Sequence, residues 1–277
     1  MVGLALLTLF QVNAADNESL VLPGDVSERI RDLRSRSLGE RIKAHSDPWL
    51  GSTYTNGPLG EAGGVDPDPM VRFDTFDCLT FVEEVLTLAL APDPVATQEI
   101  RLALRYSSPG TPTYENRRHF MLAQWIPQLI DEGWMKDITP QFPGAVRLQR
   151  EVLESTWSNW SQRGEFELPD ELLPTGVQQF WYLPIEAALR AVNSIPEGSV
   201  VFTLRQPLPH VPIAITHVSI TIPGEVPTLR HASKMGSGLL RDHTLTWYLE
   251  HLKTYSNWPV AGVILLQPID FGPRRRE

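Results

Sequence analysis

The sequence is poor in cysteine and in basic residues. It contains a single cysteine among 277 residues, which excludes an internal disulfide and a cysteine-rich zinc site. Acidic side chains outnumber basic ones by 33 to 24, so the net charge is −9. A chain with this balance lacks the strongly basic character that is typical of nucleic-acid binding. No nucleic-acid partner is therefore expected.

Linkers and low-complexity segments are also missing. No Gly/Ser-rich stretch divides the chain, and its 24 prolines occur without the glycine period of a fibre. Hydrophobic residues make up 42% and charged residues 21%, which does not fit a disordered protein. We therefore predict a globular chain with one domain over residues 15–277.

The first 14 residues have the character of a secretory signal. Residues 2–10 read VGLALLTLF, and Val12 and Ala14 provide small residues at the spacing that signal peptidase recognises. The run is shorter than the about 20 apolar residues of a membrane-spanning helix, and no later segment is apolar enough to be one. Signal peptides usually have a Lys or Arg before the apolar run, and none is present here. This indicates a start site that was assigned too late in the sequence, or a sequence that was trimmed. A buried N-terminal element is the alternative, but we expect export to the periplasm without a transmembrane anchor.

Helical patterns dominate the N-terminal half. The strongest has Val82, Val85, Leu86 and Ala89 on one stripe and ends before Pro92. Helices are predicted over 25–45, from Asp77 or Cys78 to Ala91, from Asp93 to about Tyr106, and around Arg118–Glu132. Between the first two of these lies a loop rich in glycine and proline.

The second half is predicted to contain the sheet. Residues 139–181 form a long insertion, with one helix around Leu148–Trp160. A short helix, Pro184–Ser194, and an amphipathic helix, Leu245–Leu252, accompany the strands. The predicted strands are Ser199–Leu204, Thr216–Ile222, Thr228–Ser233 and Val260–Gln267. Helices followed by strands indicate an α+β fold with an antiparallel sheet.

Cys78 is a candidate nucleophile because it lies at the start of a predicted helix. Unpaired backbone N–H groups at a helix N-terminus favour an anion, so a lowered thiol pKa is expected there. Cys78 also falls on the apolar stripe of its helix, and a buried core cysteine is the alternative. A nearby base is needed to decide between the two.

Two histidines fall in the same predicted hairpin. His217 alternates with apolar neighbours in one strand, and His231 lies in the next strand after the turn at Pro223. If Ser219 pairs with His231, then His217 and His231 are diagonal neighbours on one face, close enough for their imidazoles to hydrogen-bond. A slip of one residue would place them on opposite faces. Together with the thiol they provide a nucleophile, a base and a residue that orients the base.

The remaining histidines give weaker signals. His119 follows two arginines and could line the wall of a cleft, whereas the other four have polar surroundings and no recognisable partner. A metal site built from His217, His231 and a carboxylate has no support from the ligand spacings of known metal motifs. No metal or other cofactor is predicted.

Five short motifs in a fixed order carry a resemblance to a known family. The motifs are Leu50–Tyr54, Phe76–Glu83, Arg118–Phe120, His217–Ile220 and His231–Ser233. The second motif reads FDCLTFVE and resembles the "fDCvTFvE" signature of the cysteine N-acetylmuramoyl-L-alanine amidase-like proteins. These proteins are a bacterial branch of the papain-like, NlpC-type cell-wall hydrolases. The resemblance covers most of the chain, from about Leu50 to Gln267.

The resemblance implies a papain-like NlpC-type fold and a set of site residues. Cys78 is the implied nucleophile, His217 the general base, and His231 the residue that orients His217. Tyr54 would overlie the site and stabilise the oxyanion together with backbone N–H groups near Cys78. Tyr54, Asp77 and His119 form the predicted group of oxyanion and substrate-binding residues.

The expected function is hydrolysis of the N-acetylmuramoyl-L-alanine amide bond in peptidoglycan or muropeptide fragments. One alternative is a γ-D-glutamyl stem-peptide endopeptidase, and others are a non-catalytic envelope-binding module and an interbacterial toxin. Such endopeptidases often have serine directly after the cysteine, where it helps to bind a free amine, and Leu79 at this position favours the amidase unless it faces the core. Trp157 and Trp160 could form a wall for sugar rings or close a core under the insertion.

Overall fold

A computed structural model describes residues 22–108 and 110–270. The predicted signal segment, residues 1–14, lies outside these ranges. The described residues contain eight α-helices and ten strands, with short 3-10 turns between them. No helix among them is long and apolar enough to cross a membrane.

Helices and strands have the following bounds. The helices are α1 Gly24–Leu33, α2 Leu38–Ser46, α3 Cys78–Leu90, α4 Thr97–Arg105, α5 Ile126–Asp131, α6 Glu154–Ser158, α7 Ile185–Ala191 and α8 Leu245–Leu252. The strands are β1 Thr53–Tyr54, β2 Thr75–Phe76, β3 Met135–Asp137, β4 Val146–Val152, β5 Gly176–Pro184, β6 Val200–Arg205, β7 Ile215–Ile222, β8 Thr228–Ser233, β9 Leu239–Thr244 and β10 Val260–Pro268.

The ten strands form one sheet. Their order is β2-β1-β9-β8-β7-β6-β10-β5-β4, with β3 paired to β10. Every pairing is antiparallel except that of β1 with β2. The predicted α+β class with a largely antiparallel sheet is therefore confirmed.

Apolar side chains cover both faces of the sheet. Val218 and Ile220 of β7 belong to the main core cluster, which also includes the apolar side chains of α3. Leu229, Val263 and Tyr248 belong to a second cluster beneath α7 and α8. Because successive side chains of a strand point to opposite faces, strands β6, β8 and β10 contribute to both clusters. Strand β7 contributes to the main cluster only, since its other face carries His217, Ser219 and Thr221.

The predicted helix over residues 25–45 is two helices. The break falls at Ser37, whose hydroxyl accepts a hydrogen bond from the Glu40 backbone N–H at 3.3 Å. The Glu40 carboxylate in turn accepts from the Ser37 backbone N–H at 2.9 Å. This reciprocal cap starts a new helix and turns the chain between α1 and α2.

The prediction of a helix around Leu148–Trp160 is largely wrong. Val146–Val152 is strand β4, which pairs along its whole length with β5, and helix is confined to Glu154–Ser158. Leu148 and Val152 are spaced at the period of a strand, and cross-strand pairing stabilises that alternative. The insertion is therefore a hairpin of two long strands whose connection, residues 153–175, folds against Phe120 in a separate apolar cluster.

The helix predicted around Arg118–Glu132 begins later. Residues 121–125 form a π-helical turn in which the Phe120 carbonyl accepts from the N–H groups of Gln124 and Trp125. The α-helix proper starts at Ile126. Such widened turns are common at functional sites, and this one adjoins the cavity described below.

Candidate active site

Helix α3 begins at Cys78 because Asp77 caps it. The Asp77 carboxylate accepts from the Thr80 backbone N–H at 2.7 Å, and the Thr80 hydroxyl accepts from the Asp77 N–H at 3.0 Å. The second carboxylate oxygen accepts from the Gly57 N–H at 3.1 Å. Asp77 thus fixes both the helix start and the preceding loop, and Cys78 occupies the first helical position.

The Cys78 thiol is half-buried and packs against the main core. Burial raises the pKa of the thiol to about 12, and the negative charge of Asp77 adds to the rise. The backbone N–H groups of Val218, Cys78 and Leu79 act in the opposite direction. The predicted lowering of this pKa is therefore wrong, because loss of hydration outweighs the field of the helix N-terminus. The resting thiol is neutral and needs a base.

The Cys78 side chain shares a cavity with His217 of strand β7. The backbone N–H of Val218, the residue after His217, favours the charged form of the thiol and so acts to lower its pKa. Strand β7 has a bulge here, since Thr203 pairs with His217 and Leu204 with Ile215, which leaves Thr216 without an opposite residue. Bulges of this kind re-aim side chains next to active sites.

The two histidines of the β7–β8 hairpin are hydrogen-bonded to each other. Ile220 pairs with Arg230, which is the register predicted from the sequence. His217 Nε2 lies 2.7 Å from His231 Nδ1, and the rings meet nearly edge to face with an interplanar angle of 79°. The ring of Tyr248 contacts both imidazoles, with centroids 6.3 and 5.5 Å away.

Burial keeps both imidazoles neutral. It lowers the pKa of His217 to about 4, and the positive charge of Arg205 contributes to the lowering. It also lowers the pKa of His231 to about 2, and the neighbouring imidazoles of His217 and His243 add to this lowering. At neutral pH the pair therefore shares one hydrogen between Nε2 of His217 and Nδ1 of His231.

Tyr54 lies on β1 close to the thiol. Its backbone N–H donates to the Gly238 carbonyl at 2.8 Å, which ties it to the loop before β9. Burial raises the pKa of its hydroxyl, and the negative forms of Cys78 and Asp77 raise it further. The phenol is therefore a stable hydrogen-bond donor near the sulfur.

A cavity of about 720 Å³ joins these groups. This volume is in the range of small-molecule binding sites. Its lining around the sulfur includes Tyr54, Asn56, Cys78, His217, Ser233 and Tyr248. Asp77 is outside the lining, since its side chain supports the helix start.

His119 lies in the cavity wall. Its Nε2 is 2.6 Å from the Tyr114 carbonyl, and its ring contacts those of Tyr114, Phe120 and Phe166. Burial lowers the pKa of His119 to about 4. A neutral ring whose Nε2–H donates to Tyr114 leaves Nδ1 as an acceptor for a ligand.

Trp157 and Trp160 of the insertion are core residues. Trp157 and Trp160 are 3% and 7% exposed and pack on each other and on Phe120 or Phe166. Trp157 also donates its indole N–H to the Pro174 carbonyl at 2.9 Å. One edge of Trp157 reaches the cavity, whereas Trp160 does not line it.

The structure adds three cavity residues that the sequence analysis did not single out. Tyr248 is buried, and its hydroxyl lies 2.6 Å from that of Thr203, so the pair fixes the phenol beneath both histidines. Arg205 ends strand β6 at the cavity. The sequence offers one signal for Arg205, which is the single charged residue of strand β6. For Tyr248 it offers no signal beyond the place of this residue on an amphipathic helix.

Metal binding has no geometric support in the described ranges. No group of three or more His, Cys, Asp or Glu side chains in residues 22–108 and 110–270 is arranged to hold a metal ion.

Solved structures share this fold. A Legionella pneumophila protein superposes with a TM-score of 0.75 at 25% identity, covering 88% of this chain and 93% of the other. An N-acetylmuramoyl-L-alanine amidase from Bacteroides uniformis gives a TM-score of 0.65 at 21% identity, covering 83% and 98%. A Bacteroides fragilis protein that carries the name of a xylanase gives 0.61 at 19% identity, covering 81% and 99%. No curated protein matches the chain in a sequence comparison.

A family model adds the sequence evidence. The model described as N-acetylmuramoyl-L-alanine amidase-like matches residues 44–255, well over half of the chain. The matched range contains Tyr54, Cys78, His119, His217 and His231. The chain therefore belongs to the N-acetylmuramoyl-L-alanine amidase-like family.

Proposed function

We propose that the protein is a cysteine hydrolase that cleaves the amide between the lactyl group of N-acetylmuramic acid and L-alanine. The observation that carries the proposal is the 2.7 Å hydrogen bond between His217 Nε2 and His231 Nδ1, together with the place of His217 and the Cys78 thiol in the lining of one cavity. Membership of an amidase-like family and a structural neighbour named as this amidase support the choice of bond.

We assign His217 the role of general base, because one of its two tautomers leaves a ring nitrogen free to accept the thiol proton. If its Nε2–H donates to His231 Nδ1, then its Nδ1 carries a free lone pair that can take a proton from the thiol. His231 is the positioning residue, because its acceptor nitrogen selects this tautomer and fixes the ring. His231 then carries its own hydrogen on Nε2, an atom that is buried and has no hydrogen-bond partner among the described residues.

Acylation follows from these roles. His217 Nδ1 takes the thiol proton while the Cys78 sulfur attacks the amide carbonyl, and the carbonyl electrons move onto oxygen. The Cys78 backbone N–H and the Tyr54 hydroxyl are the donors proposed for that oxyanion, and one such donor is typically worth about 10²–10³ in rate. His217 then returns the proton to nitrogen, the C–N bond breaks, and the peptide leaves with a free L-alanine amine.

Deacylation uses the same groups with water as nucleophile. Neutral His217 takes a proton from water as the oxygen attacks the thioester carbonyl. Collapse of the tetrahedral intermediate breaks the C–S bond, releases the lactyl carboxylic acid, and returns the proton to the sulfur. The enzyme is thereby restored to its neutral thiol and neutral imidazole.

The charge of the cavity favours the amidase over the γ-D-glutamyl endopeptidase. An endopeptidase acting on free stem peptides has to bind the ammonium group of L-alanine, whereas the lactyl amide has none. Among the described residues that line the cavity, none is Asp or Glu. Leu79 does not contribute to the choice, because it packs against the main core.

We also propose a fold type and a cellular location for the enzyme. We assign the fold to the papain-like NlpC type on the basis of the Cys78, His217 and His231 motifs. Export to the periplasm, directed by the apolar segment at residues 2–10, would bring the enzyme to peptidoglycan or its fragments.

Digestion of purified muropeptides tests the bond. The wild-type protein is expected to release intact disaccharide and a stem peptide with N-terminal L-alanine, both identifiable by mass spectrometry. Products with an intact lactyl–alanine bond and a cut after D-glutamate would replace the amidase with the endopeptidase.

The pH dependence of kcat/KM tests whether His217 is neutral in the free enzyme. A base acts when neutral, that is, above its pKa, so a pKa lowered by burial moves the acid limb of kcat/KM to lower pH. We expect nearly full kcat/KM at pH 5.5 relative to pH 7, whereas an imidazole with the ordinary pKa of about 6.5 would retain about a tenth. Circular dichroism at each pH separates this effect from unfolding. An acid limb at about pH 6.5 with an intact fold would contradict the buried neutral base.

A further inference from the structure

The cavity has the opposite charge from the protein as a whole. The chain has nine more acidic than basic side chains. Of the described residues that line the cavity, the ones with a full charge at neutral pH are two cations, Arg205 and Lys234. A site with this lining attracts an anionic ligand.

The guanidinium of Arg205 is fixed in place by neutral partners. Its Nε donates to the Thr216 hydroxyl at 3.0 Å, and its Nη1 donates to the Trp258 carbonyl at 2.6 Å. The rings of Tyr255 and Trp258 contact it, with centroids 4.3 and 5.8 Å from Cζ. No carboxylate of the described residues lies within ion-pair distance, and Nη2 donates to none of their atoms. The guanidinium group of Arg205 is thus fixed in position, and its remaining N–H groups are available to a ligand.

Most other arginines with little exposure are neutralised within the protein. Each of the following pairs with a carboxylate: Arg41, Arg101, Arg105, Arg117, Arg118 and Arg230. Arg150 and the partly buried Arg241 lack a carboxylate as well, but neither lines the cavity. The Nη2 of Arg150 donates to the carbonyls of Val211 and Pro212, and that of Arg241 donates to the Ser237 hydroxyl. Burial lowers the pKa of Arg205, which shows that its desolvation is not compensated by an internal acid.

We propose that Arg205 binds a carboxylate of the substrate and makes the enzyme selective for an acidic peptide half. This inference rests on the proposed amidase function. The N-acetylated sugar half of a lactyl amide is uncharged, so a carboxylate has to come from the peptide. The one nearest to the scissile bond is the free α-carboxylate of the second residue, a glutamate joined through its γ-carbonyl. A guanidinium fork matches a carboxylate in shape and charge.

Two synthetic substrates isolate this contact. The acid substrate is N-acetylmuramoyl-L-alanyl-γ-D-glutamyl-L-alanine amide, and the amide substrate replaces the glutamyl α-carboxylate with a carboxamide. A hydrogen bond to a charged group contributes about 1.5–3 kcal/mol. We therefore expect the wild-type protein to prefer the acid substrate about 10- to 100-fold in kcat/KM, chiefly through KM.

Substitution of Arg205 provides the decisive comparison. Arg205→Met should lower kcat/KM for the acid substrate about 10- to 100-fold and change that for the amide substrate less than about threefold. Arg205→Lys should restore part of the preference. The matched control is Arg31→Met, on an exposed position of α1 outside the cavity, and it should leave both substrates unchanged. Equal loss on both substrates in Arg205→Met would reduce Arg205 to a structural role.

Binding to the Cys78→Ala protein separates this inference from the proposed function. Calorimetry with the two intact substrates needs no turnover. The Cys78→Ala protein should bind the acid substrate more tightly than the amide substrate. The double variant with Cys78→Ala and Arg205→Met should lose this difference in affinity. If the wild-type protein cleaves neither substrate at the lactyl amide, the proposed function fails, and the binding preference still decides the role of Arg205. Equal affinity for the two substrates overturns the inference whether or not cleavage occurs.

Discussion

Cys78→Ala is expected to lower kcat on muropeptides by about 10⁴-fold or more, since removal of a nucleophile leaves only binding and oxyanion stabilisation. The fold should persist, because Cys78 is half-buried at a helix start that Asp77 and Thr80 cap by themselves. Turnover is measured as release of the stem peptide, and circular dichroism checks the fold.

Two controls make the Cys78 experiment specific. Cys78→Ser keeps the size of the side chain but should also be strongly impaired, because a hydroxyl is a weaker nucleophile than a thiol beside the same base. Since the chain has one cysteine, one equivalent of iodoacetamide labels a single site, and its mass adduct should rise in parallel with loss of activity. Undiminished activity in Cys78→Ala would end the assignment, and binding without any turnover in the wild-type protein would favour a non-catalytic envelope-binding module.

Local patterns predicted the elements that hold the proposed catalytic groups. The i, i+3, i+4 stripe after Cys78 marks α3, and the alternation around His217 fixes both the strand and its register with β8. Register is strongly specified there because a slip of one residue would move Val218 and Ile220 out of the core. The bond between His217 and His231 therefore follows from a pattern that the core enforces.

Prediction from the sequence was wrong where long-range strand pairing or burial determines the structure or the pKa. Leu148 lies in a strand because β5, some thirty residues on, pairs with β4, and no local pattern records that partner. The sign of the Cys78 pKa shift depends on desolvation in the folded site, which a helix N-terminus alone does not reveal. The availability of Arg205 likewise depends on the absence of a carboxylate within reach, which only the folded arrangement shows.

Glu84→Ala is expected to destabilise the protein by about 3–5 kcal/mol, as is typical when one partner of a buried ion pair is removed. Glu84 has no exposed side-chain surface and accepts from Arg101 Nε at 2.8 Å and from Arg105 Nη2 at 2.8 Å. Its loss leaves two buried guanidiniums with one carboxylate, Glu83, which accepts from Arg105 Nε at 3.2 Å. The free energy of unfolding is measured by urea denaturation.

This cluster also connects α3, the helix that begins at Cys78, to the cavity wall. Glu83 accepts from the Trp125 indole N–H at 3.0 Å, and Trp125 ends the π-helical turn that adjoins the cavity. Arg105 Nη1 donates to the Met70 carbonyl at 2.9 Å, in the loop before Cys78. The acidic end of the FDCLTFVE motif and the following Glu84 therefore hold the elements around the thiol in place.

A surface pair provides the matched control. Glu250 forms an exposed ion pair with Lys253, and Glu250→Gln should change the free energy of unfolding by less than about 1 kcal/mol. Glu84→Gln should lie between the two, since the amide keeps an acceptor oxygen for Arg101 but loses the charge that balances both arginines. A loss below about 1 kcal/mol in Glu84→Ala would mean that water or a rearranged Glu83 solvates the arginines, and that the network does not fix α3.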